Sequence, residues 1–490
     1  MSVHSGTDHG QFISKTERAR ATRTALSQNS FFQKAERDFG ADGRVRGGVV
    51  GRHGRGWRGV TPRSIVVEAA ISLILIVAAR GASRPVDLNP VIPDSVGVNT
   101  HFLEPNPGEM EMLAAAGIRW ARTDFGWEET EKKPGQYDFS GYDKLVNILE
   151  SYNVSPYLIL DYTNKLYDNG MSPYTEEGRQ AFTRWASAAV KHFQGRGIIW
   201  EMYNEPNIKV FWLPKPNVQD YIKLALEVGK AIRSVAPSET YIGPAVSTID
   251  FPFLEACFKA GLLNYWSAVS VHPYRRTDPE SAAAEYSRLH HLIEAYAPEG
   301  RKVPILAGEW GYSTVWKGMD DEKQGKLLAR EILSNLANGL PLTIWYDWHD
   351  DGSDPKDPED HFGTVYFPYE RASKAVYRPK PAYIALQNLT HTLAGYRYSK
   401  RLPVGSANDY VLLFSKGENV RLAAWTTSSA EHKVFIPVGI GGVSIADYRG
   451  QNLKMGHPIN GKLAINLTDA PQYLVPERPN SNVQYFRSRH

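Results

Sequence analysis

The sequence runs to 490 residues, 42% of them apolar, enough to bury more than one core, so a barrel of about 250 residues plus a smaller domain fits. The net charge of +3 hides an asymmetry: residues 1–63 hold twelve Lys/Arg against five Asp/Glu, leaving 44 basic and 48 acidic residues in the rest. That slightly acidic body gives no ground for nucleic-acid binding, and its single cysteine, Cys257, excludes an internal disulfide without excluding export.

Residues 1–63, rich in Gly, Ser and Arg, read as a disordered basic tail. Residues 64–83 follow as a unit. Arg52, Arg55, Arg58 and Arg63 precede an apolar run, 69–79, whose one polar residue is Ser72 and which gives way to Gly81, Ala82 and Ser83. The run falls short of the roughly 20 residues of a spanning helix, and basic, apolar and small residues in that order suit a signal peptide or a tether through 65–79. The competing reading is a buried helix of the first domain. Export to the periplasm or the medium, with inner-membrane anchoring as one form of it, is the expectation. Because such signals sit near a chain's start, either the tail precedes an uncleaved anchor or translation begins downstream of Met1.

From residue 95 short apolar strands alternate with amphipathic helices. The strands are 95–99, 120–124, 157–161, 198–205, 241–245, 268–272, 304–309 and 342–348, and the helices 108–116, 142–152, 177–193, 218–235, 251–260, 281–296, 322–338 and 382–393. Eight alternations predict an α/β chain with a (β/α)₈ TIM barrel over 90–395, whose site lies at the C-terminal strand rim. A doubly wound sheet is the alternative, but no Gly-x-Gly-x-x-Gly turn follows an early strand. Short strands at 410–414, 420–426, 432–437, 443–447, 462–467 and 472–474 then predict a β-sandwich over 396–478. Its first strand could instead come from residues 86–92.

Two strand ends carry the chemistry. The run Ile198–Met202 leads to Asn204-Glu205-Pro206, where Pro206 ends the ladder and biases Glu205 towards extended backbone. The run Val303–Ala307 leads to Gly308-Glu309-Trp310-Gly311. A lone strand-end glutamate is most often a solvated or ion-paired residue; two, on strands four and seven that face one another across a barrel, suggest the paired carboxylates of a retaining glycosidase. Arg122 stands in an otherwise apolar strand, where an unpaired charge would be costly, so it is expected to meet a carboxylate. Strand eight offers Trp345 and Trp348, either of which could stack on a sugar, with alternation placing them on opposite faces. Trp127, Tyr162, Trp212, Trp310 and Trp316 are further groove candidates, about half of them expected there. The acidic loop 350–360 could hold calcium, but lacks the EF-hand spacing and reads as a solvated loop, so no metal and no cofactor is expected.

Trp200-Glu201-x-x-Asn204-Glu205-Pro206 with Gly308-Glu309-Trp310-Gly311 resembles the clan A glycoside hydrolases. With Arg122, His272-x-Tyr274, Trp345 and the trailing sandwich, the resemblance covers nearly all of 90–476 and is closest to family 39, including exopolysaccharide endoglycosidases of biofilm gene clusters, with family 5 next. It implies Glu205 as acid/base, Glu309 as nucleophile, Arg122 keeping the nucleophile ionised, Asn204 on the sugar 2-hydroxyl, and His272 and Tyr274 around the nucleophile and the bound sugar. The acid/base is then expected to hold an elevated pKa because the nucleophile's charge disfavours a second one. The substrate implied is a polysaccharide or oligosaccharide with β-glycosidic bonds, cut internally. An exo-acting β-xylosidase-like enzyme and a catalytically silent sugar-binding protein of an assembly complex are the alternatives. Nothing in the sequence fixes the oligomeric state.

Overall fold

The computed structural model describes residues 87–477 except 452, so the tail at 1–63 and the whole export-like segment 64–83 lie outside the described residues. Among the described residues no helix is long and apolar enough to cross a membrane. Eight strands, β1 (Val96–Asn99), β2 (Trp120–Gly126), β3 (Ser155–Asp161), β4 (Ile199–Met202), β5 (Thr240–Ser247), β6 (Val269–His272), β7 (Ile305–Trp310) and β8 (Thr343–Trp345), close a parallel barrel in the order β1-β8-β7-β6-β5-β4-β3-β2. Around it run α1 (Glu109–Ala115), α2 (Ser140–Ser151), α3 (Glu176–His192), α4 (Val218–Val235), α5 (Phe251–Lys259), α6 (Ala283–Tyr296), α7 (Asp321–Ala337) and α8 (Pro381–Thr392).

Local chemistry sets these boundaries. Thr175 caps α3 by accepting from Gly178 N, with Glu176 and Glu177 in the first turn and Lys191 and His192 in the last, as the helix dipole favours. The buried face of α4 repeats Tyr221, Leu224, Ala225, Val228 and Ile232, the spacing of one apolar stripe.

Inside the barrel, alternation stacks side chains in layers. The lower layer is apolar, with Ile199, Ile242, Leu306, Leu342 and Ile344 in one buried cluster. Above it the chemistry changes: Tyr157 donates at 2.5 Å to Glu201 Oε1 and lies 3.3 Å from Ser270 Oγ. β7 contributes Gly308 to this layer because a Cβ there would come within 2.1 Å of Ser270 Oγ.

The hairpin β9 (Val365–Tyr369) and β10 (Tyr377–Pro379) follows β8. Beyond α8 come β11 (Arg397–Arg401), β12 (Asp409–Lys416), β13 (Asn419–Thr426), β14 (His432–Pro437), β15 (Val443–Ala446), β16 (Lys454–Gly456), β17 (Lys462–Leu467) and β18 (Gln472–Pro476). They form a six-stranded sheet, β11-β12-β13-β18-β15-β16, and a ribbon, β14-β17. Val411, Leu413 and Leu422 of the sheet share a core with Val434, Ile436, Leu463 and Ile465 of the ribbon. The sheet's other face, through Leu412, Phe414, Ala423 and Trp425, joins the barrel's core. Trp425 Nε1 donates to Glu280 Oε1 at 2.6 Å, and Lys326 of α7 pairs with Asp469 at 3.0 Å. Among the described residues the segment before the barrel, 87–95, adds no strand: Ile92 exchanges backbone bonds with Tyr396 and Gly395 from within a turn.

Candidate active site

The rim is organised by Arg122, which β2 points inward and which is 0% exposed. Nε donates to Glu201 Oε2 at 2.8 Å, Nη1 to Glu309 Oε2 at 2.6 Å and Asn99 Oδ1 at 3.0 Å, and Nη2 to Asn204 Oδ1 at 2.8 Å. Burying a guanidinium costs several kcal/mol unless its donors are met, and here two carboxylates and two amide oxygens meet them. Arg122 Nη2 also lies 3.3 Å from His272 Nε2. A guanidinium cannot accept, so Nε2 is the acceptor and the imidazole proton sits on Nδ1. Nδ1 then donates to Glu205 Oε1 at 3.0 Å. Burial drives the His272 pKa down to about 4, so the ring is neutral and its tautomer is set by Arg122.

Glu205 departs from the extended backbone expected before a proline. β4 ends at Met202, and Tyr203 and Glu205 take φ of 63° and 43°, in the left-handed region. The Glu205 N–H donates to Ala245 O at 3.0 Å while its carboxyl meets His272, and these two anchors turn the side chain into the barrel mouth. Non-glycine residues in that region cost of order 1–3 kcal/mol, a cost that concentrates at functional sites. Burial raises the Glu205 pKa to about 7, opposed by a hydrogen bond with Ser247 and by Arg122. The rise was expected from the charge of Glu309; burial is its main cause, and the carboxylate that adds to it is Glu201.

Glu309 ends β7. Its Oε1 accepts from Tyr274 Oη at 2.8 Å and its Oε2 from Arg122. Carboxylate oxygens of Glu205 and Glu309 and a ring nitrogen of His272 all lie within 4.8 Å of one another. Inverting sites hold their carboxyls about 6.5–9.5 Å apart to admit a water, whereas retaining sites hold them at about 5–5.5 Å. Asn204 gives its oxygen to Arg122, which leaves Nδ2 as the end able to meet a ligand hydroxyl.

The aromatic assignments change. Trp345 and Trp348 are 0% and 1% exposed, so neither is a sugar platform. Trp345 Nε1 donates to Phe362 O at 3.2 Å, and Trp348 Nε1 to Glu109 Oε1 at 2.9 Å, beneath α1. Ile344 belongs to the inward face of β8, so Trp345 points out, and the strand ends there, which voids alternation as a guide to Trp348. Tyr346, next on the inward face, lies beside Tyr274 with ring centroids at 6.4 Å. Of the five other groove candidates, Trp127, Trp212 and Trp310 are core, while Tyr162 and Trp316 keep partial exposure. Sequence reasoning also passed over Glu201 and Asn99. Glu201 lies two residues from inward-facing Ile199, and extending that count places a second carboxylate opposite Arg122.

Among the described residues two groups have the spacing of metal ligands, Glu205-His272-Glu309 and His101-Asp347-Asp351. In the first, Arg122 already supplies the positive charge and the Nδ1 proton of His272 occupies the lone pair a cation would need. In the acidic loop, Asp350 is taken by Lys380 at 2.6 Å and by Gly363 N at 2.9 Å.

Residues 89–352 match the family model Cellulase (glycosyl hydrolase family 5). Among solved structures, a family 39 glycoside hydrolase from the gut symbiont Bacteroides cellulosilyticus is similar with a TM-score of 0.69 and 25% identity, covering 79% of this chain and 81% of that one. A family 39 β-xylosidase from Caulobacter crescentus shares the fold, with a TM-score of 0.57 and 17% identity over 80% of this chain and 98% of that one. A β-xylosidase from Geobacillus stearothermophilus is 30% identical over 188 residues, 34% of this chain and 36% of the relative, so the match spans about a third of that protein. With more than half its length on the family model, the chain belongs to glycosyl hydrolase family 5, and so to clan A of the glycoside hydrolases.

Proposed function

We propose that this protein is an endo-acting, retaining hydrolase of β-glycosidic bonds in a bacterial exopolysaccharide, with Glu205 as acid/base and Glu309 as nucleophile. The observation that carries the reading is the approach of Glu205 and Glu309 oxygens to within 4.8 Å. In the first displacement a Glu309 oxygen attacks the anomeric carbon while the bond to the leaving oxygen breaks and Glu205 delivers its proton there. In the second, Glu205 takes a proton from water, the hydroxide attacks the same carbon, and Glu309 departs as carboxylate. Burial suits Glu205 to the first role by keeping its proton on near neutrality, and the ion pair with Arg122 suits Glu309 to attack. Asn204 Nδ2 serves the sugar hydroxyl next to the anomeric carbon, and Tyr274 steadies Glu309.

Endo action is favoured by the spread of partly exposed aromatics, Tyr162 after β3, Trp316 after β7 and Tyr346 after β8, around several sectors of the mouth. The export-like pattern of 64–83 supports a site of action outside the cytoplasm. The exo-acting alternative draws on the β-xylosidases among the similar proteins. Incubation with bacterial exopolysaccharides and aryl β-glycosides separates them: internal fragments by mass spectrometry support endo action, and single sugars alone support exo action. A first-formed product of inverted anomeric configuration by NMR overturns the retaining assignment.

A further inference from the structure

The wall of the cleft above Arg122 is acidic, and the reaction just described makes no use of it. β2 and β3 pair with Arg122 opposite Tyr157, Asp124 opposite Ile159 and Gly126 opposite Asp161. Tyr157 faces Glu201 inside the barrel, so alternation turns Asp161, four residues on, into the barrel mouth. Asp124 stands on the same inward face of β2 as Arg122, and is exposed. Glu129 reaches the same place: a Cβ on Gly126 would come within 2.1 Å of its Oε2.

Exposed carboxylates alone are solvated surface. Asp161 is different, being 0% exposed with neither carboxyl oxygen hydrogen-bonded among the described residues. The nearby basic side chains do not serve it: Arg122 is engaged by Glu201 and Glu309, and His101 by Asp351. Asp124, Glu129 and Asp161 also form no cluster with the spacing of metal ligands, so they suit a group carried on a larger body. Tyr162, adjacent to Asp161 and stacked on Phe211 at 5.5 Å, offers a ring beside them.

We propose that Asp124, Glu129 and Asp161 form a subsite for the free ammonium of an amino sugar, so that the substrate is a glycan carrying unacylated hexosamine beside the bond cleaved. The subsite rests on the glycosidase reading for its place in catalysis, and its ligand chemistry can be tested without turnover. Burial holds the Asp161 carboxyl well above the usual carboxylate range, with Asp124, Glu129 and Glu201 adding to the rise and Arg122 opposing it. The phenols of Tyr142 and Tyr162 share its surroundings. An arriving ammonium ionises Asp161, and its proton leaves to buffer.

The test is calorimetry on the full chain carrying Glu309→Gln, with glucosamine tetramers in the β-1,3, β-1,4 and β-1,6 linkages and their N-acetylated counterparts. At least one glucosamine tetramer is expected to bind about tenfold tighter than its acetylated form, with heats that vary with the buffer's ionisation enthalpy. Asp161→Asn, near-isosteric and neutral, removes the preference and the buffer dependence; Asp124→Asn, at an exposed position, lowers the preference if the first variant fails to fold. Equal binding of free and acetylated forms in all three linkages overturns the subsite, as does a preference that both variants keep. Cleavage of aryl glycosides without ammonium preference removes the subsite alone. Ammonium preference in a chain whose Glu309→Gln variant cleaves as well as its parent removes the glycosidase reading alone.

Discussion

The lower and upper halves of the barrel interior obey the same alternation and have opposite chemistry. Two residues along each strand, Trp120 gives way to Arg122, Ile199 to Glu201, Ala268 to Ser270 and Leu306 to Gly308, and the apolar layer becomes an ionic one. Below, stability comes from apolar area removed from water. Above, Arg122, Glu201, Glu205, His272 and Glu309 are buried at a cost that hydrogen bonds offset, and Glu205 adds a left-handed backbone. The upper half is therefore where stability has been given up for chemistry, and substitutions in the two halves should fail in opposite ways.

The largest contrast is between Glu309→Gln and Ile344→Ala. The amide keeps the volume, and its oxygen can still accept from Arg122 while its NH2 donates to the Tyr274 oxygen. It cannot form the glycosyl intermediate, so turnover should fall by on the order of 10⁴-fold or more, with a melting temperature lowered far less than by a core truncation. Ile344→Ala removes buried methylenes from the lower layer and should cost about 2–5 kcal/mol in stability while the remaining folded protein keeps its kcat. Denaturant unfolding and initial rates on one aryl β-glycoside read both. A Glu309→Gln variant holding a tenth of parental activity would take Glu309 out of the nucleophile role.

How far the sequence reveals this contrast depends on how much of it is periodic. All eight barrel strands and helices were legible because apolar spacing is set by burial, and α4 and β14 fall on the residues expected. β11 was not, since Arg397–Arg401 buries neither face fully and carries no apolar alternation. At the site, Glu205 and Glu309 were legible because a charge following an apolar strand interrupts a pattern. Glu201 interrupts nothing: inside a fully buried strand it is flanked by Trp200 and Met202, and only its partner Arg122 explains it. Trp345 and Trp348 misled for the reverse reason, since aromatic density marks both core and groove, and the end of β8 at Trp345 is fixed by tertiary contacts.

A second, smaller effect lies in the pH dependence of stability, where Glu205 and His272 pull in opposite directions. Glu205, raised by burial to about 7, binds its proton in the folded state while the unfolded carboxyl has lost it, so its contribution is lost as pH rises from about 4.5 to 7. His272, lowered by burial to about 4, stays neutral in the folded state while the unfolded ring is charged, so its contribution is lost as pH falls from about 6.5 to 4. From about 4.5 to 6.5 the slopes cancel, and just above that window Glu205 acts alone. Glu205→Gln should therefore gain most over the parent above pH 7, by no more than about 3 kcal/mol. Denaturant midpoints of parent and variant at pH 5.5 and pH 8 measure this. An equal difference at both pH values would mean that Glu205 is ionised in the folded protein, and so unfit to donate a proton at neutrality.

The smallest effect sharpens the contrast within the aromatics of the upper rim. Trp316 is partly exposed and lies edge-on to Phe362 at 5.3 Å, with the Arg276 guanidinium 5.1 Å from its ring centroid. Its removal uncovers little core. Trp316→Ala should cost under about 1 kcal/mol in stability, and should raise KM on a polymeric substrate about three- to tenfold through lost stacking on a sugar face. A single-sugar aryl glycoside, which reaches only the carboxylate pair, should keep its kcat. Equal losses on polymer and aryl glycoside would place Trp316 at the reacting sugar, and an unaltered KM on polymer would assign it to packing with Phe362, as burial assigns Trp345 and Trp348.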